Sequence, residues 1–335
     1  MNTIKATYKE RGVSLVELMV AMAIGLVLML VIASLFLASK RTFRMQDDQS
    51  RLQETSRAAL DVLGYHIRLA GFVDLSDDPA RVRILVDPNN QHWLSKTDTS
   101  HTQDMLSKFF AADANYTGIK ALMGCDGPFD SVTSVALPWG CSAATGPNSI
   151  TVAYQAQPTV LSSTAVRTAN TYQDTLGAYN AATGQGGDCG AQDVNGAAAV
   201  PKGPLAINRF YIDTATNRLM CVGNGNPAKP RPIAEGVEDM RIRYGIIPAT
   251  VGTAPMDSFV GRYVKAADVT DWSRVLAVHV CLQIASPSPK TAGSVSYYTD
   301  CNNAAKTNAD GKIRQTFNAT FTLRNNVLTA PDALP

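Results

Sequence analysis

At 335 residues with a formal net charge of +2, the chain is long enough for one large domain or two small ones and is nearly neutral. Its 45% hydrophobic and 17% charged residues are typical of a globular protein and exclude a largely disordered one. The whole excess charge lies in residues 1–12, where Lys5, Lys9 and Arg11 outnumber Glu10. Because the remainder is neutral, it offers no basic footprint for nucleic acid, and we expect no direct nucleic-acid binding.

A long apolar segment follows this basic start. Residues 13–38 contain only three polar side chains, Ser14, Glu17 and Ser34, and residues 18–38 contain none before position 34. These last 21 residues suffice for one helical crossing of a ~30 Å hydrocarbon core. A carboxylate inside such a helix costs roughly 3 kcal/mol. Glu17 therefore requires a functional explanation.

The small residue Gly12 lies before the apolar segment. A secretory signal peptide has its small-residue cleavage site after a short apolar region. A cut after Gly12 would instead remove the basic residues 1–12 and leave the apolar helix on the mature chain. Val13 would then be the first residue and Glu17 the fifth.

The stretch RGVSLVE, with Gly12, Val13 and Glu17 in these positions, resembles the type IV prepilin signature. The resemblance implies that a prepilin peptidase in the inner membrane cleaves between Gly12 and Val13 and methylates the new amine of Val13. It also implies that the Glu17 carboxylate pairs with the N-terminal amine of a neighbouring subunit during assembly. The alternative is a glutamate at the edge of the span that snorkels to water.

The helix is predicted to continue beyond the membrane to about Ala70. No proline interrupts residues 39–71, and apolar residues recur there at three-, four- and seven-residue steps. Gly71 is the predicted C-terminal cap. A helix from Val13 to Ala70 would be ~87 Å long at 1.5 Å per residue. The apolar stripe comprises Leu52, Ala59, Val62, Leu63, His66 and Ile67.

From about Phe72 the chain shows strand patterns instead of helical periodicity. Residues 208–222 predict a hairpin around the turn Thr-Ala-Thr-Asn. Three later segments alternate apolar and polar residues, which is typical of an antiparallel sheet with one buried face. These segments are 237–246, 273–286 and 314–326, and shorter candidate strands are 81–86 and 149–156. In 273–286 the residues expected to point inward are Leu276, Val278, Val280, Leu282 and Ile284.

All six cysteines lie C-terminal to the apolar segment. An even number confined to one part of the chain indicates disulfides formed in an oxidising compartment, which places the head outside the cytoplasm. Six cysteines allow 15 connectivities, and buried free thiols are the alternative. We favour pairing of nearest neighbours, because each pair brackets a loop rich in Gly, Asn or Pro. These pairs are Cys125 with Cys141, Cys189 with Cys221, and Cys281 with Cys301.

Three C-terminal stretches, GVEDMRIRYGI, WSRVLAVHVCLQIAS and FNATFTLRN, resemble in this order the C-terminal half of the PilW group of minor pilins. The resemblance covers about the first 75 and the last 110 residues. It implies an α+β, type IV pilin-like fold, in which a long N-terminal helix, transmembrane and then amphipathic, packs on an antiparallel β-sheet head with disulfides. It also implies a role in initiating pilus assembly, with other minor pilins, the major pilin and a tip adhesin as partners.

The resulting domain organisation has four parts. Residues 1–12 are the leader peptide, 13–38 the transmembrane or filament-core half of the helix, 39–71 its amphipathic half, and 72–335 a head that is periplasmic and later extracellular. Within the head, 76–204 is a variable region and 205–335 is the PilW-like β region. Two alternatives remain: a J-type minor pseudopilin of a type II secretion system, and a pilus-borne adhesin that binds its ligand through residues 76–204.

The sequence contains no recognisable catalytic motif or cofactor site, and we expect that the protein is not an enzyme. His92 and His101 flank a polar segment and offer a metal-binding alternative to a solvated loop. Asp74, Asp77 and Asp78 offer a calcium-binding alternative to a charged turn, although their spacing is not that of an EF-hand. His279 and Cys281 fall on one strand face, where a disulfide-bonded cysteine beside a packed histidine is favoured over a nucleophile.

Overall fold

A computed structural model of the chain describes residues 12, 14–72, 120–132, 140–155, 157–158, 172–173, 189, 205–224, 227–247, 260–287, 295–323 and 325. The predicted strand 81–86 and most of the variable region 76–204 lie outside these residues. The chain divides into two compact units, Met1–Ser50 and Arg51–Pro335.

One helix, α1, extends from Leu15 to Leu69. Its 55 residues give a length of about 82 Å. A tight turn ends it, with the N–H of Ala70 donating to the carbonyl of Ile67 at 3.2 Å. Gly71 follows with a φ of 75°, a conformation that costs glycine little, and the predicted cap is thus confirmed.

The two parts of α1 differ in burial. In the first unit, every described side chain from Ser14 to Asp47 is exposed. In the second unit, one side of the helix is buried at three- and four-residue steps, as the stripe predicted. The buried positions are Leu52, Ser56, Ala59, Leu63, Gly64, His66 and Ile67.

The rest of the described chain is built from antiparallel strands. The first group comprises β1 (Leu122–Cys125), β2 (Ser149–Gln155), β3 (Gln157–Pro158), β4 (Tyr172–Gln173), β5 (Leu205–Asp213), β6 (Arg218–Gly223) and β7 (Arg231–Glu235). The second comprises β8 (Val237–Ile246), β9 (Arg262–Val264), β10 (Val275–Ala285), β11 (Ser296–Thr299), β12 (Ala305–Asn308) and β13 (Arg314–Thr322). Two 3-10 turns, Ala266–Asp268 and Trp272–Arg274, lie between β9 and β10.

Two sheets carry the head. One has five strands in the order β1-β2-β5-β6-β7, and the other has four in the order β13-β10-β8-β9. The pairs β11–β12 and β3–β4 form separate two-stranded ribbons. One hydrophobic core contains residues of α1 and of both sheets, so the helix is the third layer of the head. The α+β, pilin-like fold class is confirmed.

The predicted hairpin is present as β5 and β6, with Asp213 opposite Arg218. The Asp213 carboxylate accepts from the hydroxyl of Thr216 at 2.6 Å and from the N–H of Ala215 at 3.1 Å. These hydrogen bonds lower the pKa of Asp213. Asn217 closes the turn at a φ of 51°, in the left-handed region that asparagine tolerates well.

The expectation of one buried face is wrong for β10. Every residue of this strand is buried except His279, which is half-buried. Both faces of β10 are buried because the strand lies in the middle of its sheet, between β13 and β8, and because neighbouring groups cover its second face. Cys281 is covered by its disulfide with Cys301, and the amide of Gln283 donates to Glu238 at 3.1 Å.

Three disulfides join nearest neighbours along the sequence: Cys125 with Cys141, Cys189 with Cys221, and Cys281 with Cys301. The last of these attaches the β11–β12 ribbon to the central strand β10. Since such crosslinks persist in oxidising compartments, they are consistent with an exported head.

Candidate functional site

The start of α1 is organised around Ser14. Its carbonyl accepts the first helical hydrogen bond from the N–H of Leu18 at 3.1 Å, and its hydroxyl accepts from the N–H of Glu17 at 3.3 Å. Ser14 is thus the N-cap, and Ser-Leu-Val-Glu has the spacing of a capping box. This role was not predicted, although the S-x-x-E pattern of Ser14 and Glu17 could have revealed it.

Glu17 is exposed at this helix start, surrounded in sequence by apolar side chains. Among the described residues its carboxylate has no ion-pair partner. The first helical turn itself favours a negative charge, because unpaired N–H groups point out of it. Gly12, two residues before the cap, is also exposed. Val13 is outside the described residues, so the structure gives no geometry for its amine.

The apolar surface beyond Glu17 is uncovered. Leu26 is 67% exposed and Phe36 is 66% exposed, and the neighbouring side chains on all sides of the helix are exposed as well. Within the described residues, α1 is the one helix long and apolar enough to cross a membrane. A helix that is apolar all round requires lipid or other helices as its surroundings.

At the other end, the head holds α1 by close packing. Gly64 lies against the ring of Phe321 in β13, and a Cβ at position 64 would overlap that ring. The guanidinium carbon of Arg68 lies 5.1 Å from the centre of the same ring, a cation–π distance. The side-chain amide of Asn325 donates to the carbonyl of Ala70 at 3.1 Å and thus closes the C-terminus of the helix.

A buried polar cluster joins α1 to the five-stranded sheet. The Tyr154 hydroxyl lies 2.8 Å from Nδ1 of His66, and the Asn208 amide donates to that hydroxyl at 3.0 Å. Both the Tyr154 hydroxyl and the Asn208 amide lie within hydrogen-bond distance of Nδ1 of His66, and both can donate. Nδ1 is therefore the acceptor and the imidazole is neutral. Burial lowers the pKa of His66 to about 3. The sequence analysis placed His66 on the buried stripe but did not foresee its partners.

A second polar cluster lies under β13. Arg314, only 4% exposed, donates two hydrogen bonds to Glu238, at 2.6 and 2.8 Å, and two to Asp310, at 2.9 and 2.6 Å. These bonds hold the pKa of Asp310 well below its ordinary value and raise that of Arg314. Glu238 is the glutamate in the stretch GVEDMRIRYGI, whose residues 237–246 form β8. Its role is to join β8 to β13.

The strand face that carries His279 and Cys281 is structural. Cys281 is in a disulfide, and Nδ1 of His279 lies 2.9 Å from the Thr320 hydroxyl. In the described part of the chain no cluster of three or more His, Cys, Asp or Glu residues is arranged to hold a metal ion. The other metal candidates lie outside the described residues: His92, His101, Asp74, Asp77 and Asp78.

Two family models match the chain. Residues 7–33 match the prokaryotic N-terminal methylation motif, and residues 209–325 match type IV pilus-assembly protein W. The first match contains Gly12 and Glu17, and the second contains Glu238, Arg314 and Asn325. No curated protein and no solved structure matches the chain.

The methylation motif, the long apolar helix and the disulfide-bonded antiparallel head are together similar to those of type IV pilin-like proteins. Within this class, the chain matches a minor pilin of the PilW type. Both matched families are structural or assembly families, and neither is an enzyme family. A protein of this kind interacts with other pilus components and, through the methylation motif, with prepilin peptidase.

Proposed function

We propose that this minor pilin initiates type IV pilus assembly from the inner membrane and takes a position at the filament tip, where it supports twitching motility and adhesion. The observation that carries the proposal is the exposed Glu17 carboxylate, at the capped start of a helix whose apolar surface the protein itself leaves uncovered. A charge in that position is unfavourable in lipid unless another molecule pairs with it.

Maturation supplies the partner charge in this proposal. Prepilin peptidase cleaves between Gly12 and Val13, removes the leader 1–12 and methylates the amine of Val13. The secondary amine that results still carries a positive charge at neutral pH. In the low dielectric of a bilayer, its attraction to the Glu17 carboxylate of a neighbouring subunit is stronger than in water. The pair therefore favours docking of one subunit against the next.

The proposed topology places the leader in the cytoplasm, residues 13–38 in the membrane, 39–71 as the helical stem and the head 72–335 in the periplasm, later on the cell surface. The three disulfides support this orientation, because they require an oxidising compartment. The proposed partners are the other minor pilins, the major pilin and a tip adhesin. The ligand-binding role considered for residues 76–204 falls mostly outside the described residues.

The decisive experiment compares Glu17→Ala with Glu54→Ala, which removes an exposed carboxylate from the same helix. Glu17→Ala is expected to insert, to be cleaved and to carry a methylated N-terminus by mass spectrometry, yet to co-purify poorly with the other pilins and to reduce surface piliation. Glu54→Ala should behave as wild type. Normal piliation with Glu17→Ala would contradict the pairing mechanism.

Processing is tested separately with Gly12→Leu, which places a branched side chain at the exposed cleavage position. The leader should then remain on the chain. A mature chain that begins at Val13 in this variant would contradict the requirement for glycine at position 12, and a wild-type mature chain that begins at another residue would contradict cleavage after Gly12. Tip location is tested by gold labelling of a C-terminal tag on isolated filaments: label at one end supports the proposal, and label along the whole length contradicts it.

A further inference from the structure

Three cations lie where the apolar surface of α1 ends. Lys40, Arg41 and Arg44 are all exposed, and Ser39 alone separates Lys40 from the last apolar residues, Leu37 and Ala38. We call these three residues the basic collar. No feature of the proposed assembly mechanism uses them.

The spacing of the helix places the collar at a membrane boundary. Glu17 and Lys40 are 23 helical steps apart, about 34 Å, which is close to the ~30 Å thickness of the hydrocarbon core. With residue 13 at the start of the proposed span and Glu17 one turn inside it, Lys40 reaches the headgroup region of the opposite leaflet. Lys40 and Arg44 lie four residues apart and share one helix face, and Arg41 is displaced from Lys40 by a little over a quarter turn.

An aromatic side chain accompanies the collar. Phe43 is 71% exposed between Arg41 and Arg44. A large ring at the boundary between the apolar surface and the cations suits the interfacial region, where long cationic side chains extend toward the phosphates. An aromatic ring beside the cations fixes how deeply the helix lies in the bilayer, which a general affinity for anions would not do.

The protein does not neutralise the collar. Among the described residues, none of Lys40, Arg41 and Arg44 has an ion-pair partner, whereas the buried Arg314 has two. Asp47 and Asp48 follow one turn after Arg44, about 5 Å farther along the axis. An anionic headgroup layer attracts the collar and repels these two acids, so it defines both the depth and the direction of the helix.

We propose that Lys40, Arg41 and Arg44 bind the phosphate groups of anionic phospholipids in the leaflet opposite the leader. The site rests on the proposed insertion of α1 into the inner membrane. Guanidinium groups bind phosphate oxygens in a bidentate manner, which favours two arginines and a lysine over three lysines here. Because a subunit leaves these lipids when it enters a filament, the collar retains unassembled subunits in the membrane pool.

The test uses the full mature chain in nanodiscs that contain equal amounts of phosphatidylglycerol and phosphatidylcholine, with the retained lipids identified by native mass spectrometry. Wild type should retain phosphatidylglycerol in excess. The variant K40Q/R41Q/R44Q should lose that excess by roughly fivefold or more, since each cation near an anionic surface contributes about a fivefold change. The matched control K229Q/R231Q/R262Q removes three exposed cations of the head and should retain lipids as wild type does.

Added inorganic phosphate at millimolar concentration should not displace the lipids, because the site recognises headgroups held at membrane depth. Displacement by phosphate would overturn the lipid assignment. Equal retention of both lipids by wild type, or equal loss in the collar and control variants, would overturn the proposal. Resistance of each variant to carbonate extraction reports insertion separately: if wild type fails to insert, the proposed membrane anchoring fails, and with it this site.

Discussion

The first and last parts of α1 contrast sharply although they form one continuous helix. Between Ser14 and Asp47 every described side chain is exposed, including apolar ones such as Leu26. Between Arg51 and Leu69 the helix buries one side in the head, where Leu63, Gly64 and Ile67 are inaccessible to solvent. The two parts of this one helix are therefore stabilised by different surroundings.

The difference indicates where each part obtains its stability. The last part is stabilised by the protein's own core, since burial of apolar surface contributes about 25 cal/mol per Å². The first part gains nothing from that core and depends on lipid or on other subunits. Substitutions in the last part should therefore change head stability, and matched substitutions in the first part should not.

The largest contrast is expected for leucine truncation. Leu63→Ala removes a fully buried side chain and should lower the free energy of unfolding of the head by about 3–5 kcal/mol. Leu26→Ala, at a position 67% exposed, should leave head stability unchanged. Urea denaturation of the full chain in mild detergent, monitored by near-UV circular dichroism, measures the stability of both variants. A large loss with Leu26→Ala would refute the separation of the two parts.

The second contrast concerns cations. Arg314→Met leaves Glu238 without its cationic partner and should destabilise the head by about 3 kcal/mol, since removal of one member of a buried ion pair strands the charge of the other. The loss of the Asp310 pair adds less, because that carboxylate is 36% exposed. Arg44→Met removes an exposed cation of the first part and should not change the same denaturation midpoint. Equal midpoints for Arg314→Met and wild type would contradict the assigned role of this network.

Glycine substitutions give a contrast of opposite sign. Gly64→Ala forces a methyl group into the ring of Phe321 and should cost about 1–3 kcal/mol, partly offset by the ~1 kcal/mol by which alanine favours a helix. Gly25→Ala has no atom within 4 Å of the new methyl group and should be neutral or slightly stabilising to the helix. Thermal unfolding in detergent distinguishes the two variants. If Gly64→Ala were as stable as wild type, the close helix–strand contact would be wrong.

The last contrast is a pH dependence. Because the folded head lowers the pKa of His66 from 6.5 to about 3, the unfolded chain binds the proton more readily between these values. The free energy of unfolding should thus fall as the pH decreases through this range, by up to ~1.4 kcal/mol per unit. The lowered pKa values of Asp213, Asp300 and Asp310 contribute only below about pH 4. Measurement from pH 7 to 5 therefore separates His66 from these three carboxylates.

His66→Gln should abolish this slope and His279→Gln should preserve it. His66→Gln also perturbs a buried cluster, so the diagnostic quantity is the slope with pH and not the stability itself. A slope that persists in His66→Gln would assign the effect to another group.

The helix, the β5–β6 hairpin and the alternating strands β8 and β13 could be predicted because their periodicity is local. The burial of both faces of β10 could not be predicted, since it depends on which strands flank it and on the disulfide that covers Cys281. The partners of His66 and Arg314 were equally inaccessible: Asn208 is 142 residues from His66, and Glu238 is 76 residues from Arg314. Polar pairs that the fold brings together leave no periodic signal.

The contact between Asn325 and the end of α1 has a consequence for biogenesis. Ala70 and Asn325 are 255 residues apart, so the carbonyl of Ala70 receives this amide only after residue 325 has been synthesised. Phe321, which lies against Gly64, arrives at the same late stage. A head truncated before β13 would leave the end of α1 without the Asn325 amide and Gly64 without the ring of Phe321. Closure of this end of α1 therefore depends on the completion of β13 and Asn325.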